Sequence, residues 1–121
     1  MSSPDHAALA RRYVELSNAH DLDRVIPMFD NFASYHSSQY GSFTGKQSIQ
    51  EMMQGFFSGY PDVHWTVDAY TLETDNSVSF FFVMRATRAE TDDRDERQGK
   101  ERICFGEDGL ITHIEVEVLS Q

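Results

Sequence analysis

One cysteine, Cys104, is all the thiol in a chain of 121 residues. It excludes an internal disulfide and fits a reducing compartment. Basic residues are scarce too: ten Lys and Arg stand against 20 Asp and Glu, a net charge of −10. Nucleic acid and anionic membrane both need a basic face, so neither is expected as a partner. No apolar run is long enough to span a bilayer, and the start "MSSPDHAALARRY" lacks a leader's hydrophobic stretch. The expectation is a soluble, cytoplasmic protein. Three prolines and seven glycines leave no room for a linker or a low-complexity tract. Chemistry signals are thin as well. The chain has no Gly-rich phosphate loop and no nucleophile elbow. Its histidines (His6, His20, His36, His64, His113) have no metal-ligand spacing, and Cys104 has no second thiol. The acidic run from Glu90 to Glu96 lacks the glycine and terminal glutamate of a calcium loop. No metal and no cofactor are expected.

What remains is ordinary globular material. Hydrophobic residues make up 40% and charged residues 25%, a balance that excludes disorder and supports one domain over residues 1–121. Helical signals come first. Ser3 with Pro4 predicts a capped start. Leu9, Tyr13, Leu16 and His20 then recur at helical spacing, with Arg11, Glu15 and Asn18 opposite, and the helix runs to about Ala19. Asp21 is read as the cap of a second, short helix through Val25, Ile26 and Phe29, which Pro27 kinks or shortens. Thr44 and Gln47, at capping-box spacing, open a third helix. Its face is Ile49, Met52, Met53, Phe56 and Phe57, and "SGYPD" ends it.

Strands follow. "FASYHSS" (32–38) lies between the second and third helices, and "VHWTVDAYTLE" (63–73) alternates Val63, Trp65 and Val67 against His64, Thr66 and Asp68. "SVSFFFVMRATRAE" (77–90) is apolar on both parities from Phe80 to Met84, so it is expected to be covered on both faces. "TDDRDERQG" is read as a solvated connection. "KERICF" and "LITHIEVEV" close the chain around "GEDG", a hairpin signal at Asp108-Gly109. Helices followed by an antiparallel meander give an α+β class, with three N-terminal helices on one face of a curved, mostly antiparallel sheet.

The order of elements, with "NAHDLD", "FTGKQSIQEM", "YPDVHWTV" and "EDGLITHIEV", resembles the SnoaL-like branch of the nuclear transport factor 2-like superfamily. That resemblance implies a cone-shaped α+β fold around a pocket. It also implies a choice of roles: polyketide cyclase, dehydratase, epoxide hydrolase, ketosteroid isomerase or non-catalytic binding module. The first helix, "RRYVELSNAHDLDRVIPMF", is most similar to ketosteroid isomerase. By that likeness Tyr13 is an oxyanion donor, and Glu101 falls where the isomerase has its second donor, a carboxylic acid kept protonated by an apolar site. The isomerase's general-base aspartate is replaced by Ser37, with His36 beside it. The last-strand acid of the cyclases and epoxide hydrolases is replaced by Val116.

Alternatives stay open for each residue. Tyr13 is a site donor or a core tyrosine bonded to a carbonyl. Glu101 is a pocket acid or, one register step away, a surface glutamate beside Lys100 and Arg102. His36 is the remaining candidate base, although strand parity turns it outward while Tyr35 and Ser37 turn inward. His64 and His113 are expected on the outer face, and His6 and His20 at the rim. Last-strand parity turns Thr112, Ile114, Val116 and Val118 inward. The pocket wall expected from these parities is Tyr35, Ser37, Met53, Phe57, Phe82, Ile114 and Val116. Its ligand would be a small apolar carbonyl compound undergoing proton-transfer chemistry of the isomerase, cyclase or dehydratase type. The rival is a binding or dimerising module without chemistry. Phe81 and Val83, opposite in parity to Phe80, Phe82 and Met84, point to a homodimer through the sheet's outer face.

Overall fold

Asp5 starts the first helix. Its carboxylate accepts a hydrogen bond from the Ala8 backbone N–H at 3.1 Å, satisfying one of the donors that every helix start leaves free. The computed structural model describes residues 5–74 and 76–120, so Ser3 and Pro4 lie outside the described residues. Helix α1 spans His6–Asn18 and buries Ala10, Tyr13, Val14 and Ser17. Leu9 and Leu16 are only partly buried at its flank.

Asn18 is not on the polar face. Its side-chain amide donates to the Trp65 carbonyl at 2.9 Å and accepts from the Trp65 N–H at 2.8 Å. His20, past the helix end at φ +57°, bonds the Val63 carbonyl at 2.8 Å through Nε2. Both side chains dock on the free edge of an outer strand and satisfy backbone groups there.

Helix α2 is one turn, Leu22–Val25, and Pro27 continues it as a 3₁₀ turn over Ile26–Met28. Asp21 precedes it, but its side chain makes no capping bond. Phe29, expected in this helix, instead opens strand β1, Phe29–Ser37. A short strand β2, Gly41–Thr44, then pairs back on β1. The sequence hides β2 because most of its side chains are exposed. Thr44 ends that strand, so the Thr44–Gln47 capping box does not form. Helix α3, Lys46–Gly59, starts behind Gly45, whose φ of +92° is a glycine conformation and whose N–H reaches the Ala33 carbonyl at 2.7 Å.

The remaining strands are β3 His64–Val67, β4 Thr71–Thr74, β5 Ser77–Thr87, β6 Arg94–Phe105 and β7 Ile111–Ser120. The sheet order is β2-β1-β7-β6-β5-β3, with β4 also pairing β5. Among the described residues only β1 and β7 run parallel. The result is an α+β fold, three helices on a curved mixed sheet. Its innermost layer contains Phe29, Ile49, Ile103, Phe105, Ile111 and Ile114, all fully buried.

Three strand expectations need correction. "TDDRDERQG" is not a loop beyond Asp93: β6 begins at Arg94 and pairs with β5 from Thr87 onward. Its charges alternate, with Glu96 and Gln98 exposed and Arg97 buried. Phe80, Phe82 and Met84 are covered, but Phe81 is 65% exposed, so β5 is not buried on both faces within one chain. Thr112 is exposed rather than inward, because the register shifts between Cys104 and Phe105 and brings Ile111 inward instead.

Candidate functional site

Strand β6 supplies the spine of the site. Arg97, Gly99, Glu101, Ile103 and Phe105 all point inward and are all buried. Gly99 is required at its position. An added Cβ would lie 2.8 Å from the Glu117 carbonyl oxygen and closer still to Phe82 Cζ. The Phe82 ring fills that space and floors the gap between Arg97 and Glu101. Above this floor α1, α3 and the β1–β2 turn close a cavity of about 80 Å³. By this measure a water needs about 10–15 Å³, so the cavity as it stands takes roughly five to eight water-sized groups.

Its lining brings together most of the residues that the sequence singled out. Tyr13, Tyr35, Ser37, Met53, Phe57, Phe82, Glu101 and Val116 all contribute. Two do not. His36 lies on the outer face, where its Nδ1 meets Ser42 Oγ at 2.7 Å and its Nε2 lies 3.7 Å from Glu115; strand alternation puts it on the side opposite Tyr35 and Ser37. Ile114 is fully buried in the core, paired with Ile103 one step below Val116 along β7. His113 is also held outside the cavity, by Ser34 and Glu115. Among the described residues no three of His, Cys, Asp and Glu form a group that would hold a metal.

Among the described residues Glu101 is the only carboxyl lining the cavity. It is 7% exposed, and its Oε2 has no hydrogen-bond partner among the described residues. Burial without compensation pushes its pKa up to about 8. At neutral pH most of it carries a proton and can donate. Burial also lifts the Tyr13 phenol well above its ordinary value; Glu101 and Tyr35 add to this, and Ser17 opposes it. Tyr35 is raised in the same way, by burial, then by Glu101 and Tyr40. Both phenols stay protonated donors. The Tyr13 ring is held edge-on against Phe29, with centroids 6.0 Å apart. The adjacent Ser17 hydroxyl turns back to the Tyr13 carbonyl at 2.7 Å. Ser37 Oγ accepts from the N–H groups of Gln39 and Tyr40, each at 3.2 Å. It therefore holds the β1–β2 turn while facing the cavity.

Arg97 and Tyr40 are lining residues that sequence reasoning missed. Arg97 donates to the hydroxyls of Tyr40 at 2.5 Å and Tyr60 at 2.9 Å, and both rings lie within 5.6 Å of its guanidinium carbon. The signal was available in the spacing 97, 99, 101, three alternate positions on one strand face. It is hidden because the apolar pattern of "KERICF" begins only at Lys100.

Solved structures share this architecture. AclR of Streptomyces galilaeus, described as a candidate hydroxylase, matches with a TM-score of 0.80 at 20% identity, over 97% of this chain and 90% of that one. SalBIII, an epoxide hydrolase/cyclase-like enzyme of pyran ring formation in salinomycin, matches at 0.84 and 15%, over 93% and 89%. A nuclear transport factor 2-like protein of Exiguobacterium sp. 255-15 matches at 0.81 and 15%, over 91% and 97%. At such identities these likenesses speak for the fold. No curated protein matches. The family evidence is direct, since the SnoaL-like domain matches residues 10–114, a span that holds Tyr13, Arg97 and Glu101 together. With three helices on a curved mixed sheet and a family match over most of its length, this chain belongs to the SnoaL-like domain family.

Proposed function

We propose that the chain binds a small, largely apolar carbonyl compound and moves a proton on it without a cofactor, as an isomerase, cyclase or dehydratase does. The observation that carries this reading is an unpartnered, buried carboxyl, Glu101, in the same apolar cavity as the Tyr13 phenol. Tyr13, with Tyr35 as a second donor, is placed to hydrogen-bond the substrate oxygen as it gains charge, where a dry site makes each donor count most. Among the described residues Glu101 is the only lining group suited to exchange a proton near neutral pH. With a pKa of about 8, about a tenth of it is ionised at pH 7 and can take an α-proton. The protonated acid then returns that proton to a neighbouring carbon, or to a leaving hydroxyl in a dehydration.

The test is α-proton exchange of 2-hexanone in D₂O, followed by NMR. Exchange above the buffer rate is expected, with a loss of at least about a hundredfold in Glu101→Gln, the usual contribution of a general acid–base group. A wild-type protein that binds 2-hexanone without exchanging its protons would support the second reading, a binding module. Ser37 and Val116, which stand where the resemblance calls for acids, favour that alternative.

We infer further that two copies associate through the outer sheet face and act in the cytoplasm, where a lone thiol is stable. Phe81 is exposed there beside charges of both signs, Lys100 and Arg102 on β6 across from Glu117 and Glu115 on β7. A two-fold axis can set such mixed rows against each other.

A further inference from the structure

Arg97 is buried to 6% exposure on the inward face of β6. Its nearest carboxylate is Asp95, at 3.5 Å from Nη2. That Asp95 oxygen is already engaged by Arg88 Nε at 2.8 Å and by the Tyr60 hydroxyl at 2.9 Å. Two arginines thus share one carboxylate, and the other partners of Arg97 are neutral phenols. The cluster keeps one unmatched positive charge, and among the described residues of the cavity lining Glu101 is the only acid. A buried cation with incomplete compensation is costly unless an anion completes it. The Tyr40 and Tyr60 hydroxyls and Asp95 fix the guanidinium by its two terminal nitrogens; Nη1 keeps a second N–H, which with the Tyr40 hydroxyl beside it suits a carboxylate oxygen. Tyr40 is 45% exposed, which places this end of the cavity at its rim, while Glu101 lies four residues further along the strand. Together with Met52 and Phe56, Tyr40 also borders an outer groove on the other side, so the rim end is the side from which a ligand enters.

We propose that the ligand of this cavity is a monoanionic oxo-acid, its carboxylate held by Arg97 and the Tyr40 hydroxyl, its carbonyl at Tyr13 and Glu101. This deepens the proposed function and rests on it for the carbonyl end only. Arg97 and Glu101 are separated by about 13 Å of strand. A hydrogen bond at each end takes about 3 Å, leaving roughly 7 Å for the ligand's polar ends. The Phe82 ring over Gly99 offers an apolar floor for the methylenes between. The net charge of −10 works against anion capture at long range, so recognition is local and the association rate rises with added salt.

The test titrates four probes into the protein: 5-oxohexanoate, its methyl ester, hexanoate and 2-hexanone. The acid is expected to bind about ten- to a hundredfold tighter than its ester, the usual return of a charge-assisted pair. The preference should vanish in Arg97→Met and survive in Arg97→Lys. A purely structural Arg97 would lower the melting temperature of Arg97→Met without changing the acid-to-ester ratio. Equal binding of acid and ester by the wild-type protein overturns the proposal, whether or not the variants fold. Arg97-dependent binding of hexanoate with no binding of 2-hexanone would uphold the anion site and sink the carbonyl reading instead. Binding of 2-hexanone but of neither acid would do the reverse, and failure of all four would overturn both.

Discussion

Glu101 makes stability depend on pH in an unusual direction. Its pKa is about 8 when folded, against 4.5 for an ordinary glutamate. Between these values the folded state holds a proton that the unfolded state has lost. Its contribution to stability is therefore intact below about pH 4.5 and is lost as pH rises through the window to about 8. The slope is at most about 1.4 kcal/mol per pH unit. Denaturant unfolding at pH 5.5 and 7.5 should show the wild type losing stability with pH and Glu101→Gln losing much less. Equal slopes would place Glu101 in water. Tyr13 makes a complementary prediction. The Ser17 hydroxyl is the hydrogen-bonding neighbour of the Tyr13 phenol and keeps its bond to the Tyr13 carbonyl without it, so Tyr13→Phe should leave the melting temperature nearly unchanged. Binding of a carbonyl ligand should weaken by roughly 1–3 kcal/mol. A drop in stability at constant affinity would make Tyr13 a core residue.

Element by element, the sequence was readable where burial follows a period and unreadable where a polar side chain faces inward. The stripe on α3 and the alternation of Val63, Trp65 and Val67 follow from apolar contact, and both match the structure. The first half of β6 shows no apolar alternation because its inward residue is Arg97, a charge held by two phenols. Strand β2 shows none because it lies at the sheet edge. Asn18 misled for a related reason: a polar residue at a helix end reads as solvent-facing, yet its amide pairs with Trp65. Asn18→Ala should cost about 1–3 kcal/mol by thermal or denaturant unfolding, because it strips partners from one N–H and one carbonyl of β3. Gly99→Ala should cost a similar amount, about 1–3 kcal/mol, and should also impair ligand binding, because Phe82 must move into the cavity. A Gly99→Ala variant with unchanged affinity would mean that the Phe82 floor has no part in binding.

At the scale of the whole molecule, the sheet divides two kinds of surface. Its inner face is nearly closed, whereas its outer face carries Phe81 with the Lys100 ammonium over its ring at 5.7 Å. If that face joins two copies, light scattering at tens of micromolar, an order-of-magnitude concentration for a modest interface, should give twice the chain mass. Phe81→Glu should return it to a monomer. A wild-type monomer at that concentration would refute the association.

The Ser37 turn has a consequence for how such a protein acquires chemistry. Ser37 faces the cavity, yet its oxygen's structural task is only to accept two backbone N–H groups, which an aspartate oxygen does equally well. A second acid can therefore enter the cup by one substitution while the turn keeps its shape. It would join Glu101 in the cavity lining, on the far side of Val116 of β7. The carboxylate count of the cavity can thus double at one position whose backbone partners, the Gln39 and Tyr40 N–H groups, are already in place.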